Sequence, residues 1–400
     1  MGTPTPRVLI AGGGIGGMAA ALALLRAGFD VTVCEQSTEQ REVGAGVQIT
    51  PNGSLALRAL GVFEPLFARS CPPDARAIIH WQSGQRWTTF AFKDPSGPRY
   101  DAPYVMVYRP DLLEVLAGAV RALKPDAVRL QTRCTGFSQD AAGVTLHTDA
   151  GADLRGDLLI GADGVHSNIR ARLFDDTDVR YAGLCIWRAV IPAALVPENM
   201  RARVGANWIG PDGHVVHYYL RNGELMNFAA TREQPVWDVP VWKIDSSIAA
   251  CERALAGWHP DLLALMRAAP AISQWALLVR PELPRWSNGR VSLLGDACHP
   301  TLPFLGQGAN MAIEDGVVLA RVLAAQPRDP AAALARYEAL RRPRTNRMVV
   351  EAAAFRPRFH NELLRDARQA EDYIRHEWSP DKLRERFDWV FRHDVGQSAI

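Results

Sequence analysis

The order of apolar and polar positions near the start of the chain predicts a strand, a helix and a second strand. Arg7 to Ala11 is a short apolar run, Ile15 to Arg26 has helical spacing and ends before Gly28, and Val31 to Cys34 is a β-branched run. A strand, helix and strand in this order are typical of a parallel sheet with helices on its faces.

Similar patterns return later in the chain, separated by stretches that favour irregular β-structure. Helices are predicted for Asn52 to Leu60, Pro110 to Leu123 and Ala309 to Ala325, and buried strands for Asp157 to Ile160 and Arg290 to Leu294. Other β-structure is predicted for Trp81 to Phe92, for a hairpin over 128–149 and for the Trp-rich residues 181–245.

These patterns together predict an α/β protein built from interleaved segments. We expect a discontinuous Rossmann-like domain over 1–70, 101–180 and 281–345, and a β-sheet domain over 71–100 and 181–280 that offers a face to a ligand. The Arg-rich residues 346–400 are expected to form a C-terminal helical segment.

Composition and charge narrow the possible partners. The 400 residues are 48% hydrophobic and 22% charged, and 45 basic against 43 acidic residues leave a net charge of +2, which argues against nucleic acid and favours a small ligand. No apolar run is long enough to span a bilayer, so we expect no stable membrane insertion. Six scattered cysteines without a CxxC pair or a secretory leader favour the reducing cytoplasm and argue against disulfides and zinc.

A glycine-rich turn follows the first strand. Gly12, Gly14 and Gly17 satisfy GxGxxG at the point where the strand ends and the helix begins, so that backbone amides, including that of Ile15, can face a pyrophosphate. Glu35 ends the second strand, where a carboxylate accepts hydrogen bonds from a ribose diol and repels a 2′-phosphate. This arrangement predicts FAD or NAD rather than NADP; the alternative is a tight turn within an unrelated α/β sheet.

A second glycine-rich loop favours FAD over NAD. Residues 295–300, with the sequence GDACHP, follow a buried strand, and 303–310 lead into a helix. Asp296 at the strand end can bind a ribityl chain, while free amides at the helix start can stabilise the anion of a reduced flavin. The Rossmann-like domain is therefore predicted to bind FAD.

At this point the chain resembles a known family, the single-component class A flavoprotein monooxygenases related to 4-hydroxybenzoate hydroxylase. The resemblance rests on GxGxxG with Glu35, Val43 to Gly46, Tyr108 to Leu112, the stretch Gly161 to Gly164, and Gly295 to Asp315. Within that family the chain is similar to the salicylate, 3-hydroxybenzoate 6- and 6-hydroxynicotinate 3-hydroxylases.

The resemblance implies an enzyme with tightly but non-covalently bound FAD, with NAD(P)H as a transient co-substrate and O₂ as oxidant. Such enzymes hydroxylate a hydroxylated aromatic acid through a flavin C4a-hydroperoxide. The resemblance implies that Arg109 reaches FAD, that Asp163 bridges flavin and pyridine nucleotide, and that Gly308 to Asn310 lie under the isoalloxazine ring. The cofactor-binding positions expected in all are Gly12, Gly14, Ile15, Gly17, Glu35, Gln48, Arg109, Cys134, Asp163, Asp296, Pro303, Gly306, Gly308, Ala309 and Asn310.

The base that activates the ring is expected on the strand that follows Gly213. Period-2 geometry puts His214, Val216 and Tyr218 on one face and His217 on the other. Because the related 3-hydroxybenzoate 6-hydroxylases carry His and Tyr at the first and third of these positions, we expect His214 and Tyr218 to be catalytic, and the choice between them stays open. The alternative is a structural role with satisfied polar groups, which we expect for His217. No metal is expected.

Other candidates for substrate contact are Tyr104, Arg188 and Pro303. Arg188 suits a substrate carboxylate, although an arginine at a sheet edge also commonly pairs with a protein acid. Gln48 replaces the His of the 6-hydroxynicotinate enzymes, and Pro303 replaces the Gln of the 3-hydroxybenzoate enzymes. Salicylate-type or 3-hydroxybenzoate-type chemistry is expected, with 6-hydroxynicotinate-type hydroxylation, epoxidation, halogenation and a non-catalytic flavin-binding protein as alternatives. A homodimer is among the expected assemblies.

Overall fold

The computed structural model describes residues 6–39, 45–93, 100–149, 151 and 153–400. Val43 and Gly44, which belong to one of the motifs above, lie outside the described residues. Among the described residues, no helix combines the length and apolar character that crossing a bilayer requires.

A six-stranded sheet forms the first layer of the fold. Its strands lie in the spatial order Ser287–Asn288, Val291–Leu293, Leu158–Gly161, Arg7–Ala11, Asp30–Cys34 and Val128–Arg129. All neighbouring strands are parallel except the first pair. The central strands are apolar and buried on both faces, as expected for a parallel sheet covered by helices.

The second sheet is larger and mostly antiparallel. Its strands lie in the order Lys243–Ser246, Ile272–Val279, Arg180–Pro192, Leu225–Glu233, Gly213–Leu220, Val204–Gly210, Ala75–His80 and Arg86–Ala91. Val204–Gly210 and Ala75–His80 pair in parallel, and this pairing joins two distant parts of the chain into one sheet. The remaining strands form two small sheets, Gly46–Ile49 with Val105–Tyr108, and Cys134–Asp140, Gly143–Thr148 and Leu154–Gly156.

Helices cover both sheets and form the end of the chain. The α-helices span Ile15–Arg26, Pro51–Ala59, Phe63–Phe67, Arg109–Leu123, Asn168–Phe174, Ile248–Ala254, Pro260–Arg267, Gly308–Ala325, Pro330–Ala354, Arg356–Phe359, Ala367–Glu377 and Pro380–Phe391. Three apolar cores follow from this arrangement: one around the six-stranded sheet, and one on each face of the eight-stranded sheet. The C-terminal helices pack into the core on the face that also carries Ile186 and Tyr218.

The predicted α/β class, with two interleaved sheets and C-terminal helices, is confirmed. The strands of the six-stranded sheet fall within the expected Rossmann-like segments, and those of the eight-stranded sheet fall within 71–100 and 181–280 except for Arg180. The predicted hairpin over 128–149 is too long, because Val128 pairs with Val33 in the six-stranded sheet and the hairpin itself begins at Cys134. An alternating pattern shows that a strand is present but not which sheet it joins.

Candidate active site

The two glycine-rich loops, far apart in sequence, meet at one cavity. The helices that they begin, Ile15–Arg26 and Gly308–Ala325, pack so closely that a Cβ on Gly316 would lie 2.7 Å from the backbone nitrogen of Ala20. Near the helix starts, a Cβ on Gly16 would lie 3.1 Å from that of Ala312. Small residues at the helix interface therefore bring the two helix N-termini, and the loops before them, side by side.

The first loop has the geometry of a close backbone approach. Gly12 has a φ of +107°, and a Cβ on Gly17 would lie 2.0 Å from the Gly12 carbonyl oxygen. Glu35 accepts hydrogen bonds from the backbone nitrogens of Gly13 (2.7 Å) and Ser37 (2.9 Å), so its carboxylate is held beside the turn. The predicted turn and acid are thus neighbours in space.

The second loop is held in place by buried polar side chains. Asn310 donates hydrogen bonds to the carbonyl oxygens of Gln48 (2.9 Å) and Gly306 (2.7 Å) and accepts one from the Thr50 nitrogen (3.2 Å). Asn52 donates to Gln307 and Glu314, and Gln307 donates to the Thr50 hydroxyl. Asn310 is fully buried, so its side chain positions the loop rather than facing the cavity.

The cavity between the loops and the eight-stranded sheet encloses about 330 Å³. On the side of the loops few side chains project into the cavity, because seven glycines form part of its wall. These are Gly14, Gly16, Gly46, Gly164, Gly295, Gly306 and Gly308. Arg109 and Asp296 line the same region. A glycine cradle at two helix N-termini, with a cation and a carboxylate beside it, fits a dinucleotide that carries a flavin ring.

A patch of the eight-stranded sheet forms the opposite wall, and the register defines its rows. His214 pairs with Thr231, which pairs with Ile186; Val216 pairs with Ala229, which pairs with Arg188; and Tyr218 pairs with Asn227. All of these side chains line the cavity, since residues directly opposite one another share a face. His214 and Tyr218 therefore lie on the cavity face, as the period-2 pattern predicted.

The opposite face of the same strand carries His217. Its ring lies 6.5 Å from that of Trp208, and neither ring nitrogen has a hydrogen-bond partner among the described residues. The expectation of a satisfied imidazole is wrong for His217, because apolar side chains from the sheet and the covering helices surround this face. Burial lowers the pKa of His217 to about 4, with Arg86 acting in the same direction.

The environment of the cavity separates the protonation states of His214 and Tyr218. Burial, with a smaller contribution from His360, lowers the pKa of His214 well below its usual value. Burial also raises the pKa of Tyr218, and the charge on Arg188 only partly opposes this. At neutral pH, His214 is thus a neutral base and Tyr218 a protonated hydrogen-bond donor, a division of roles that environment commonly sets in active sites.

Arg188 brings a positive charge into the cavity. Burial lowers its pKa to about 10, so the guanidinium stays protonated at neutral pH. Its Nε has no hydrogen-bond partner, and no carboxylic acid among the described residues acts on its pKa. The guanidinium lies over the Trp275 ring, 5.5 Å from its centre. A cation that lines a cavity and pairs with no acid of the described part of the chain is suited to an anionic ligand.

Gln48 lies in the cavity wall, and Tyr104 is hydrogen-bonded to it from outside the wall. Gln48 lines the cavity and accepts a hydrogen bond from the Tyr104 hydroxyl. Tyr104 also accepts a hydrogen bond from Arg76 (3.1 Å) and is itself not part of the cavity wall. The sequence predicted that Tyr104 contacts a substrate directly. In the structure Tyr104 lies outside the cavity wall and orients Gln48 instead.

The remaining candidates divide between the cavity wall and its supports. Ile15, Gly306, Gly308, Ala309 and Pro303 line the cavity together with the residues already described. Asp163 accepts hydrogen bonds from Ser167 and the Ile169 nitrogen at the start of the helix Asn168–Phe174. Cys134 is buried and contacts Cys34 at the end of the strand that precedes Glu35. These last two side chains lie beside the cofactor cradle and not in the cavity wall.

Asp296 faces the open cavity but is otherwise surrounded by protein. Burial raises the pKa of its carboxyl, and His299 and Arg109 oppose that shift. Asp296 lines the cavity at a strand end, and its carboxylate accepts no hydrogen bond from the part of the chain that the structure describes. It can therefore accept hydrogen bonds from ligand hydroxyls.

Some residues of the site carried no recognisable signal in the sequence. His360 lies in the C-terminal segment. Its Nε2 atom is 2.8 Å from the Nδ1 atom of His214. Asn227 accepts a hydrogen bond from the Gly46 nitrogen (2.8 Å) and so ties the loop after residue 44 to the sheet. Asn227 lies in the cavity because the strand register puts it opposite Tyr218. The sequence pattern does not give this register, so Asn227 could not be predicted.

Comparisons with known proteins agree with this geometry. The FAD binding domain family matches residues 5–183 and 271–352. A 3-amino-4-hydroxybenzoate 2-monooxygenase of Streptomyces platensis is 39% identical over 339 residues, which cover 85% of each chain. A 3-hydroxybenzoate 6-hydroxylase of Polaromonas naphthalenivorans is 34% identical over 397 residues, which cover 97% of this chain and 96% of that protein.

Among solved structures, the crystal structure of Klebsiella pneumoniae HpxO complexed with FAD and uric acid superposes with a TM-score of 0.81. Its sequence is 28% identical, and the match covers 98% of this chain and 96% of that one. The family model, the relatives and the two converging glycine loops therefore lead to one conclusion. The chain belongs to the FAD binding domain family and is an FAD-dependent flavoprotein monooxygenase of the class A aromatic hydroxylase type.

Proposed function

We propose that this enzyme uses NAD(P)H and O₂ to hydroxylate an aromatic acid that carries both a carboxylate and a ring hydroxyl. The observation that carries the proposal is the presence, in one cavity, of the charged guanidinium of Arg188 and the neutral imidazole of His214. A cation to bind a carboxylate and a base to ionise a ring hydroxyl are the two groups that such a substrate requires. The relatives named for 3-hydroxybenzoate and 3-amino-4-hydroxybenzoate support this substrate class.

The residues of the cradle are suited to hold FAD. Backbone amides of the first loop would hold the pyrophosphate, Glu35 would bind the ribose, Asp296 would bind the ribityl chain, and the start of the helix Gly308–Ala325 would hold the flavin ring. When bound, FAD accepts a hydride from NAD(P)H and activates O₂ so that one oxygen atom can be transferred to the substrate ring.

On the substrate side, each residue has a distinct task. Arg188 binds and orients the carboxylate through charge-assisted hydrogen bonds. His214 accepts the proton of the ring hydroxyl, which makes the ring more electron-rich and more reactive towards an electrophilic oxygen. Tyr218, protonated, donates a hydrogen bond that orients the ring oxygen. Phe304 and Phe359 pack against His214 and limit the access of water to it.

The experiment that tests the function is a substrate panel. Salicylate, 3-hydroxybenzoate, 3-amino-4-hydroxybenzoate and 6-hydroxynicotinate are scored for stimulated NADH oxidation, for oxygen uptake and for matched hydroxylated product. We expect at least one of these acids to give product in proportion to NADH consumed. NADH oxidation that yields only H₂O₂ with every acid would contradict the proposal.

A pair of variants connects the function to the residue. His214→Ala should lose most of the hydroxylation while keeping its FAD content, because His214 faces the substrate side of the cavity. The matched control is His217→Ala on the same strand, whose side chain points to the other face. Equal loss of FAD and of hydroxylation in His214→Ala would assign His214 to the fold instead.

We further propose that the enzyme works in the cytoplasm. The six cysteines are all buried as free thiols, which suits a reducing compartment. A homodimer stays a prediction, to be tested by sedimentation of the FAD-loaded protein. Cell fractionation tests the location, and recovery of the active enzyme outside the cytoplasmic fraction would contradict it.

A further inference from the structure

A chain of hydrogen bonds leads from the cavity to the protein surface. His214 Nδ1 lies 2.8 Å from His360 Nε2, and His360 Nδ1 lies 2.6 Å from Glu233 Oε1. The three residues come from separate elements: the strand Gly213–Leu220, the end of the strand Leu225–Glu233, and the residue that follows the helix Arg356–Phe359. Each distance is that of a hydrogen bond through which a proton can move.

The chain of contacts defines the tautomers. Glu233 is acceptor-only when ionised, so His360 must donate to it from Nδ1. Neutral His360 then accepts at Nε2, and His214 must donate from Nδ1. This leaves Nε2 of His214 as the nitrogen with a free lone pair, on a side chain that lines the cavity.

Only the outer end of this chain of hydrogen bonds is exposed to solvent. His214 is 3% exposed and the side chain of His360 is also 3% exposed, whereas that of Glu233 is 29% exposed. The rings of Phe304 and Phe359 lie 4.9 and 5.0 Å from that of His214 and shield its approach. A proton taken up by His214 therefore has a hydrogen-bonded path outward that does not cross the substrate.

We propose that His214, His360 and Glu233 form a proton relay that carries the hydroxyl proton of the bound aromatic acid from the cavity to solvent. This inference rests on the proposed function, because it requires a substrate with an ionisable ring hydroxyl. It assigns the base to His214 rather than to Tyr218, and it makes His360 and Glu233 positioning and relay residues that do not touch the substrate.

The proton count balances at every step. The substrate O–H bond breaks and its proton binds His214 Nε2, while the proton on His214 Nδ1 passes to His360 Nε2. The proton on His360 Nδ1 passes to Glu233, which releases it to water. One proton leaves the cavity, the substrate becomes a phenolate, and both histidines end neutral in the opposite tautomer. The reverse transfer, when the ring hydroxyl of the product is reprotonated, restores the starting tautomers.

The charges around Glu233 suit the last step. Burial disfavours its ionisation, but hydrogen bonds from His360 and Arg356 outweigh burial and lower the pKa of Glu233 to about 2. Burial lowers the pKa of His360 as well, against the opposing influence of Glu233. Arg356 also donates to the Ala182 carbonyl oxygen (2.9 Å), which holds the ion pair in place. A proton that reaches Glu233 is therefore given up readily, and neither histidine retains it.

The test measures the release of the proton to solvent instead of the formation of product. The FAD-loaded enzyme is mixed in a stopped-flow instrument with 3-hydroxy-4-nitrobenzoate, whose phenolate is coloured, in weak buffer that contains a pH indicator. Ligand ionisation and proton release to solvent are recorded together. The variants are His360→Gln and Glu233→Gln. The matched control is Asp212→Asn, a nearby acid that pairs with Arg232 and Arg365 and has no contact with either histidine among the described residues.

In the wild-type enzyme and in Asp212→Asn, proton release should keep pace with ligand ionisation. In His360→Gln and Glu233→Gln, release should be slowed at least tenfold while ligand affinity and FAD content stay within about twofold. Wild-type rates of release in both folded variants would overturn the relay. If His360→Gln fails to retain FAD, the more exposed Glu233→Gln alone decides.

The relay and the proposed function can fail separately. Productive hydroxylation by the wild-type enzyme, together with unaltered proton release in the variants, removes the relay and leaves the function. Absence of hydroxylated product with every acid of the panel removes the function whatever the variants show. A purely structural role of His360 would change FAD content or ligand affinity without delaying proton release relative to ligand ionisation.

Discussion

The Nε atom of Arg341 lies 2.7 Å from Oδ1 of Asp315, and neither side chain is more than 1% exposed. Asp315 also accepts hydrogen bonds from His299 Nε2 (2.7 Å) and the Gly295 nitrogen (3.2 Å). Because Gly295 and His299 belong to the second glycine-rich loop, this buried ion pair anchors the loop from behind.

Removal of the cation should destabilise the enzyme strongly. In Arg341→Met, the carboxylates of Glu314 and Asp315 lose a buried partner, and breaking a buried pair from one side typically costs about 3–5 kcal/mol of unfolding free energy. Urea denaturation of the FAD-loaded protein measures the change. Arg375→Met is the control, since its ion pair with Glu371 is exposed and should matter little. Equal stability of both variants would show that the buried pair contributes nothing.

The tight turn at Gly17 should be required for FAD. In Gly17→Ala the new Cβ would lie 2.0 Å from the Gly12 carbonyl oxygen, so the turn must open and its amides must move. We expect the visible flavin absorbance per polypeptide to fall at least tenfold. Gly118→Ala is the control, because nothing lies within 4 Å of a Cβ on that helical glycine and alanine favours a helix. Full flavin content in Gly17→Ala would contradict a close backbone approach at this turn.

Arg188 should determine affinity for the carboxylate. Loss of a hydrogen-bonded charge costs about 1.5–3 kcal/mol, so Arg188→Gln should raise the KM of the best acid about 10- to 100-fold. FAD content should not change, because Arg188 lies on the sheet side of the cavity. The comparison substrate is the corresponding phenol without a carboxylate, whose KM should be nearly the same in both enzymes. An equal rise for acid and phenol would assign Arg188 to the shape of the cavity.

Glu233 should make stability depend on acidity. Its pKa is lowered to about 2 in the fold, against about 4.3 for an unfolded chain. The folded state therefore binds fewer protons, and the stabilisation is present above the unfolded pKa and lost as the pH falls from about 5 towards 2. Glu233→Gln lacks this contribution, so its deficit in thermal midpoint should shrink over that range. A deficit that stays constant with pH would contradict the shift.

Much of the cofactor cradle was predictable because its signals are local. The strand, the turn at Gly12 to Gly17 and the acid Glu35 lie within one βαβ unit, and each has its own sequence pattern. Alternation likewise put His214 and Tyr218 on one face, since a strand has a fixed period.

The missing parts depend on contacts between distant segments. The parallel pairing of Ala75–His80 with Val204–Gly210 has no local pattern, and neither has the contact of His360 with His214. Tyr104 was misplaced for a related reason: its position in the chain indicates proximity to the cavity, but only packing shows that Gln48 stands between. One sequence alone does not determine which buried polar groups form hydrogen bonds with one another.

The C-terminal segment bears on how such enzymes can diversify. Phe359 and His360 contact His214 on the substrate wall, whereas the end of the segment is hydrogen-bonded to the cofactor side. The Val390 carbonyl oxygen accepts from Arg344, which pairs with Glu314, and the Val395 carbonyl oxygen accepts from Arg321. An exchange of this segment between relatives is therefore expected to alter substrate selectivity, provided that its contacts with Arg344 and Arg321 are kept. A chimera that carries the C-terminal segment of a relative is expected to change the ring specificity. A chain that is shortened in this segment is expected to form less hydroxylated product per O₂ consumed.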